Sequence, residues 1–266
     1  MILYPPKTQI AFHLFNYPIY FYGIIMATAI VFGVILSSNL FKKFNPKEEY
    51  EAFENSFFKT IIFSIFGARL FYVFGNFSFY KENLKEIVHI NHGGISIWGA
   101  IIFGILSLFL YTKFNKKNFL KYLDYYSISL PICQAIGRFG NYFNQEAYGK
   151  PCTQGFIKLF VSEENRLLGF QDFEYFEPTF LYESILNLVL FLILLLNFKN
   201  NKNKNGLTFL YYILGYSVIR FLIESIRIDS VLNIFNLAVA QWISIFGFLI
   251  SIIFIYEIKN APKNQK

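Results

Sequence analysis

The sequence predicts an all-α integral membrane protein that crosses the bilayer seven times. Hydrophobic residues make up 55% of the 266 positions, whereas charged residues make up only 15%. In soluble domains about a quarter of the residues are charged. The apolar residues are also grouped into long stretches, with most lysines between them. Composition and grouping together indicate a chain whose main surroundings are lipid.

Seven stretches contain roughly 20 mainly apolar residues each, the length that an α-helix needs to cross the hydrocarbon core. In chain order they are Ile19–Phe41, Thr60–Phe77, Gly93–Thr112, Tyr125–Phe143, Phe180–Phe198, Leu207–Ile226 and Leu237–Tyr256. No long internal repeat divides them, and we expect residues 1–266 to form a single membrane domain.

Polar residues and prolines mark the segments outside these helices. The first eighteen residues contain three prolines and lack a basic start, so we expect a short outer tail rather than a cleavable signal peptide. The Asn- and Lys-rich run 197–205 is predicted to be a solvated turn. The longest connection, Asn144–Pro178, mixes glycine, glutamate and aromatic residues. We expect residues 144–178 to form a small extracytoplasmic head segment.

Basic residues predict the orientation. The connections after the first, third and fifth predicted helices, together with the C-terminal tail, hold most of the lysines. The positive-inside rule places that side in the cytoplasm, so the N-terminus is predicted outside and the C-terminus in the cytoplasm. The same rule and contact with anionic lipid explain the formal net charge of +7. We therefore expect no nucleic-acid partner.

Two arginines lie inside predicted helices at matching depths. Arg138 is the fourteenth residue of the fourth stretch and Arg220 the fourteenth of the sixth. At about 1.5 Å per residue both start roughly 20 Å from the cytoplasmic end, in the outer leaflet. The topology brings Tyr22 and Glu183 near the same level. Because a charge in hydrocarbon costs about 2.5 kcal/mol or more, such residues are normally kept for a polar partner or a substrate.

Helical spacing places further polar residues beside each arginine. Asn141 follows Arg138 by three residues, and Arg220, Glu224 and Arg227 follow one another by four and three. Residues so spaced share one face of a helix. Glu224 is therefore expected to pair with Arg220 or with Arg227.

Glycines flank the arginine of the fourth stretch. Gly137 and Gly140 remove side-chain bulk and allow a neighbouring helix or a lipid headgroup to come close. An arginine can grip two phosphate oxygens at once with its planar fork. The alternative is a structural role, in which the arginines pair with Glu183 and Glu224 and tie helices together. For Arg69, in the second stretch, a structural and a substrate-binding role stay equally open.

Motifs at these residues resemble the prolipoprotein diacylglyceryl transferase family. The most specific is Gly137-Arg-Phe-Gly-Asn141 followed by Asn144-Gln-Glu146-Ala-Tyr-Gly149, which looks like the family signature. The other similar segments are Phe21-Tyr-Gly23, Gly67-Ala-Arg69-Leu-Phe-Tyr72, Gly93-Gly-Ile-Ser96, Asp124, Pro178-Thr-Phe-Leu-Tyr-Glu183, Arg220-Phe-Leu-Ile-Glu224-Ser-Ile-Arg227 and Gln241. The resemblance covers nearly the whole chain.

The resemblance implies a bacterial inner-membrane enzyme with its active site toward the outer leaflet. It would transfer the diacylglyceryl group of phosphatidylglycerol to the lipobox cysteine of a prolipoprotein and release glycerol-1-phosphate, with no metal or organic cofactor. The residues that it implies are catalytic Arg138, Glu146 and Arg220, and phosphatidylglycerol-binding Arg138, Asn141, Gly137, Gly140, Arg220, Tyr22, Arg69, Glu183, Glu224 and Arg227.

Three positions depart from the family pattern. Trp98, Tyr20 and Glu177 stand where many members have histidine, so the histidine often proposed as the base is missing at position 98. His92 is a weak substitute, because a single histidine sets no geometry for proton transfer. We expect the histidines to be dispensable. An anion transporter or channel with buried arginines, or a non-catalytic lipid-binding relative, stays an alternative.

Overall fold

The computed structural model describes residues 1–89, 93–229 and 233–260, and His92 lies outside them. The chain divides into two compact units. The first unit combines Met1–Ser37 with Leu123–Lys266, and the second unit is Ser38–Tyr122. The single membrane domain expected for residues 1–266 stays a prediction.

Most of the described residues are helical, as the sequence predicts. The helices are α1 Phe21–Phe44, α2 Lys47–Gly75, α3 Phe77–Tyr80, α4 Ile97–Phe114, α5 Phe119–Asn144, α6 Thr179–Asn201, α7 Leu207–Glu224 and α8 Val239–Asn260. The predicted start of the second long helix at Thr60 is wrong, since α2 begins at Lys47. Its first turn contains Glu48 and Glu49, and acidic side chains suit the positive end of a helix dipole.

Six of the described helices are long and apolar enough to cross a membrane, namely α1, α2, α4, α6, α7 and α8. They indicate a multi-pass membrane protein. Helix α5 has 26 residues but is not one of the six, because it carries polar residues such as Asp124, Gln134, Arg138 and Asn141. The seventh crossing and the orientation therefore stay predictions.

Short strands also form, which the sequence reading did not predict. They are β1 Ile2–Leu3, β2 Ile10–Leu14, β3 Tyr17–Tyr20, β4 Lys158–Phe160, β5 Tyr175–Phe176, β6 Asn233–Ile234 and β7 Leu237–Ala238. β1 pairs in parallel with β4, which pairs antiparallel with β5. β2 with β3, and β6 with β7, form two hairpins. The N-terminal tail is therefore folded onto the segment that follows α5.

The segment 144–178 has a small apolar core. Its cluster consists of Tyr148, Leu159, Val161, Phe176 and, at the start of α6, Phe180. The hydroxyl of Tyr148 donates to the carbonyl of Asn165 over 2.9 Å and accepts from the Leu167 amide over 2.8 Å. These bonds satisfy the polar end of a buried ring. The core fixes the loop that carries Glu146 at the end of α5.

Candidate active site

Four charged side chains from α5, α6 and α7 meet within the first unit. Arg138 Nη2 lies 2.7 Å from Glu183 Oε1, and Arg220 Nη1 lies 4.0 Å from Glu183 Oε2. Arg220 Nη2 lies 2.5 Å from Glu224 Oε2. Both arginines therefore contact one shared carboxylate, and of the two pairings that the spacing allowed for Glu224, the structure shows the one with Arg220.

The carboxylates of this cluster are buried more deeply than the arginines. The exposed fraction of the side chain is 2% for Glu183 and 5% for Glu224, against 21% for Arg138 and 20% for Arg220. Two positive and two negative charges cancel, which lets ionised groups persist away from water. Arg220 Nη1 is buried and has no hydrogen-bond partner among the described residues. The cluster thus keeps an accessible side, which is formed by the partly exposed arginines.

An amide relay connects the cluster to Glu146. Arg138 Nη1 donates to Asn141 Oδ1 over 3.3 Å, and Asn141 Nδ2 donates to Glu146 Oε1 over 2.8 Å. The residues on either side of Glu146 have positive φ angles of 53° and 56°. This unusual backbone turns the chain back, so that the exposed carboxylate faces the end of α5. Asn141 thereby orients both the arginine and the carboxylate.

The two glycines beside the arginine let α1 approach α5. A Cβ added at Gly140 would lie 2.6 Å from Cδ2 of Tyr22, and one added at Gly137 would lie 3.3 Å from Sδ of Met26. Any side chain at Gly140 would therefore displace the Tyr22 ring. The expected contact of these glycines and of Tyr22 with a lipid headgroup stays a prediction.

Comparison with known proteins assigns the family. Residues 9–257 match the family described as prolipoprotein diacylglyceryl transferase. A protein of Clostridium botulinum (strain Loch Maree / Type A3) is 41% identical over 254 residues, which cover 96% of this chain and 98% of that protein. A protein of Listeria innocua serovar 6a is 38% identical over 228 residues, which cover 85% and 81%. Both are named phosphatidylglycerol–prolipoprotein diacylglyceryl transferase.

This chain belongs to the prolipoprotein diacylglyceryl transferase family.

Arg69, in a segment that resembles a diacylglyceryl transferase motif, organises a loop in the second unit. Its five N–H donors all go to backbone carbonyls. The acceptors are the carbonyl oxygens of Glu86, Ile87, His89, Gly93 and Gly94. An arginine has five such donors, so carbonyl groups of the loop before α4 accept hydrogen bonds from all of them. This geometry favours the structural role, and the expected contact of Arg69 with phosphatidylglycerol stays a prediction.

Arg227 pairs with Asp229 beyond the end of α7. Its Nε and Nη2 donate to the two carboxylate oxygens over 2.8 and 2.6 Å. Burial alone would raise the pKa of Asp229, but the hydrogen bonds and charge of Arg227 lower that pKa below its ordinary range. The sequence reading missed Asp229, although a carboxylate two residues after an arginine was a visible signal. The expected contact of Arg227 with the lipid stays a prediction.

Asp124 joins α5 to the start of α7, a role that the family resemblance alone did not suggest. Asp124 Oδ2 accepts from the amide of Gly206 over 2.7 Å, and Oδ1 accepts from the amide of Phe209 over 2.8 Å. The carboxylate therefore caps a helix N-terminus from a neighbouring helix. Farther along α5, between Asp124 and Arg138, Gln134 Nε2 donates to Tyr212 Oη over 3.0 Å. These contacts hold α5 and α7 in a fixed axial register.

No group of three or more His, Cys, Asp or Glu side chains that could hold a metal ion occurs within residues 1–89, 93–229 and 233–260. The expectation that the reaction needs no metal stays a prediction.

Proposed function

We propose that this chain transfers the diacylglyceryl group of phosphatidylglycerol to the lipobox cysteine of a prolipoprotein and releases glycerol-1-phosphate. Membership of the transferase family over almost the whole chain supports the activity and both classes of substrate. The reaction is the first step of bacterial lipoprotein maturation. The observation that carries the mechanism is the pair of guanidinium groups around Glu183.

The lipid phosphate binds on the accessible side of Arg138 and Arg220 in this proposal. A phosphodiester presents two free oxygens and one negative charge, which the planar guanidinium fork matches. Glu183 contacts both arginines and so offsets the repulsion between two like charges at one depth. The parts of the two arginine side chains that stay exposed, 21% for Arg138 and 20% for Arg220, supply the donors. Glu224 holds the other end of the Arg220 fork.

The reaction forms a carbon–sulfur bond and breaks a carbon–oxygen bond. The thiolate of the precursor cysteine attacks the phosphate-bearing carbon of the diacylated glycerol, and the electron pair of that carbon–oxygen bond leaves on the phosphate oxygen of glycerol-1-phosphate. The two guanidinium groups stabilise the charge that develops there. The thiol proton passes to solvent or to Glu146, which Asn141 orients. Since a free thiol with a pKa near 8.5 is already a few per cent ionised at neutral pH, no imidazole is needed at Trp98.

We also propose seven crossings, with the N-terminus outside. The polar residues of α5 are directed at partner helices, as in the contacts of Arg138 with Glu183 and of Gln134 with Tyr212, and this explains why a long helix falls short in hydropathy. At about 1.5 Å per residue its 26 residues extend about 39 Å, enough to cross a bilayer. The segment 144–178 then forms an extracytoplasmic head within a single membrane domain.

In this topology the site opens toward the outer leaflet of the bacterial cytoplasmic membrane, where a secreted precursor emerges. The partners are phosphatidylglycerol, lipobox precursors and the bilayer. No nucleic acid, metal or organic cofactor takes part in the proposed reaction.

A direct transfer assay tests this function. The purified protein is mixed with phosphatidylglycerol in micelles and a peptide that contains a lipobox cysteine, and mass spectrometry follows both products. We expect the peptide to gain one diacylglyceryl group for each glycerol phosphate released. A peptide with serine in place of cysteine is the control and should stay unmodified.

Two results would contradict the proposal. Saturable lipid binding without transfer would favour a non-catalytic lipid-binding relative. Anion flux in proteoliposomes without transfer would favour a transporter or channel.

A further inference from the structure

The two β-hairpins have matching turns, although they lie far apart in the chain. In the first, Leu14 pairs with Tyr17, and in the second, Ile234 pairs with Leu237. Each pair encloses the same two residues, Phe-Asn, at positions 15–16 and 235–236. Both hairpins thus present an aliphatic residue, a phenylalanine and an asparagine in the same order at the tip.

The backbone of both turns is one that phenylalanine rarely adopts. The φ angles are 46° and 68° at Phe15 and Asn16, and 49° and 63° at Phe235 and Asn236. Positive φ at both central residues defines the type I′ turn, for which Asn-Gly is the favoured sequence. Asparagine tolerates this conformation, whereas a bulky side chain is strained in it. A phenylalanine at the first position in both hairpins therefore indicates that its side chain is used.

Neither phenylalanine supports the interior of the protein. Phe15 is 88% exposed and Phe235 is 89% exposed. The preceding Leu14 and Ile234 are also about half exposed. Each tip is thus a projecting apolar point, which is expected to lie against an apolar partner.

Each hairpin leads directly into a candidate membrane span. β3 ends at Tyr20 and α1 begins at the next residue, while β7 ends at Ala238 and α8 begins at the next. At about 3.3 Å per residue, the tips lie within roughly 10 to 17 Å of the first turns of these helices. Trp242, one turn into α8, donates from Nε1 to the carbonyl of Ile234 over 2.9 Å. The second hairpin is therefore fastened to its helix.

We propose that both hairpins insert their phenylalanine tips into the boundary between lipid headgroups and acyl chains. They would anchor the N-terminal ends of α1 and α8, because aromatic rings prefer this boundary. The occupant is the lipid surface, since no linker separates either tip from a helix that must itself be surrounded by lipid. This interface goes beyond the transfer reaction and does not depend on it.

Fluorescence quenching in vesicles tests the insertion. Phe15→Trp and Phe235→Trp are made separately in the full chain and reconstituted into vesicles of phosphatidylethanolamine and phosphatidylglycerol, with lipids brominated near the headgroup. The signal of the added tryptophan is the difference from the parent protein. We expect strong quenching by the brominated lipid and weak quenching by aqueous iodide.

Phe156→Trp is the matched control. Phe156 is 89% exposed, like the hairpin tips, but it lies in a loop of the segment 144–178 and adjoins no span. We expect iodide to quench it and brominated lipid to leave it bright. Hairpin tryptophans that behave like Phe156→Trp would overturn the proposal. Hairpin tryptophans that become shielded from iodide only when a lipobox peptide is added would also overturn it, in favour of precursor docking.

A double variant separates lipid contact from folding. Phe15→Asn combined with Phe235→Asn keeps the type I′ turn and relieves its strain, so stability in detergent should be unchanged or higher. In vesicles the same double variant should lose resistance to unfolding relative to the parent. An equal loss in both settings would mean that the rings support the fold, and would contradict the proposal.

Discussion

Replacing Asp124 by alanine tests whether the cap on α7 holds the two arginines in register. Asp124 is 2% exposed, and its carboxylate accepts two backbone amides, one buried at Gly206 and one partly buried at Phe209. Leaving a buried backbone amide without its acceptor costs about 1 to 3 kcal/mol. The partly buried amide of Phe209 can bind water instead, so its contribution to the free energy of unfolding lies near the lower end of this range. We therefore expect Asp124→Ala to lower the free energy of unfolding by about 3 kcal/mol.

The functional consequence follows from the spacing along both helices. Arg138 lies fourteen residues after Asp124, and Arg220 lies fourteen residues after Gly206. Without the cap, α7 can slide along α5 and change the distance between the guanidinium groups. Transfer should fall on the order of tenfold to a hundredfold, the scale of a misplacement near 1 Å. Asp124→Asn keeps one acceptor and should show an intermediate loss.

Denaturant unfolding in micelles and transfer at a temperature where each variant is folded are the two assays. Asp172→Ala is the control, because Asp172 is exposed in the segment 144–178, and its effect should stay within about 0.5 kcal/mol. A loss for Asp124→Ala no larger than for this control would refute the capping argument. A decrease of about 3 kcal/mol in the free energy of unfolding with unchanged transfer would refute the register argument.

Further predictions concern the site and its side of the membrane. Arg138→Lys keeps the charge but loses the fork, so the folded variant should lose most of its transfer activity. Glu146→Ala should lose transfer severely, whereas Trp98→His should gain little. An impermeant maleimide should label Leu168→Cys in intact cells. Native Cys152 should react slowly at neutral pH, because burial raises the pKa of its thiol, and its labelling rate should rise only at more alkaline pH.

Controls accompany these predictions. Arg166→Lys makes the same exchange in the segment 144–178 and should leave transfer nearly intact. Lys116→Cys should be labelled only after the membrane is opened, and earlier labelling would overturn the proposed orientation. An inactive native protein that Trp98→His activates would show that the reaction needs an imidazole. Rapid labelling of Cys152 at neutral pH would contradict the closed environment that Glu177 and burial create.

The sequence predicted the long helices well, because hydropathy depends only on composition along the chain. Counting residues along two predicted spans placed Arg138 and Arg220 at similar depth; the structure shows that both contact Glu183, and their depth in a membrane stays a prediction. It failed at the start of α2, where a polar first half belongs to the same helix as the apolar second half. Hydropathy marks the lipid-exposed part of a helix rather than its full hydrogen-bonded length.

The site partners needed the fold. The sequence offered Glu183 and Glu224 as partners of the arginines, but it did not specify that Glu183 would contact both, because that contact depends on how α6 lies between α5 and α7. The spacing left two partners open for Glu224, and only the chain direction after α7, which sends Arg227 to Asp229, separates them. The hairpin tips were missed because Phe-Asn is not a typical type I′ sequence.

Lipid binding by arginine variants tests the central claim most directly. The purified protein and its Arg138→Gln and Arg220→Gln variants are titrated with phosphatidylglycerol and, separately, with diacylglycerol, which lacks the phosphate, and native mass spectrometry counts bound lipid. Glutamine keeps donors but removes the charge. The native protein should prefer phosphatidylglycerol, and each folded variant should lose most of that preference while binding diacylglycerol as before. Full preference for phosphatidylglycerol in a well-folded Arg138→Gln protein would contradict the claim that this arginine pair binds the lipid phosphate.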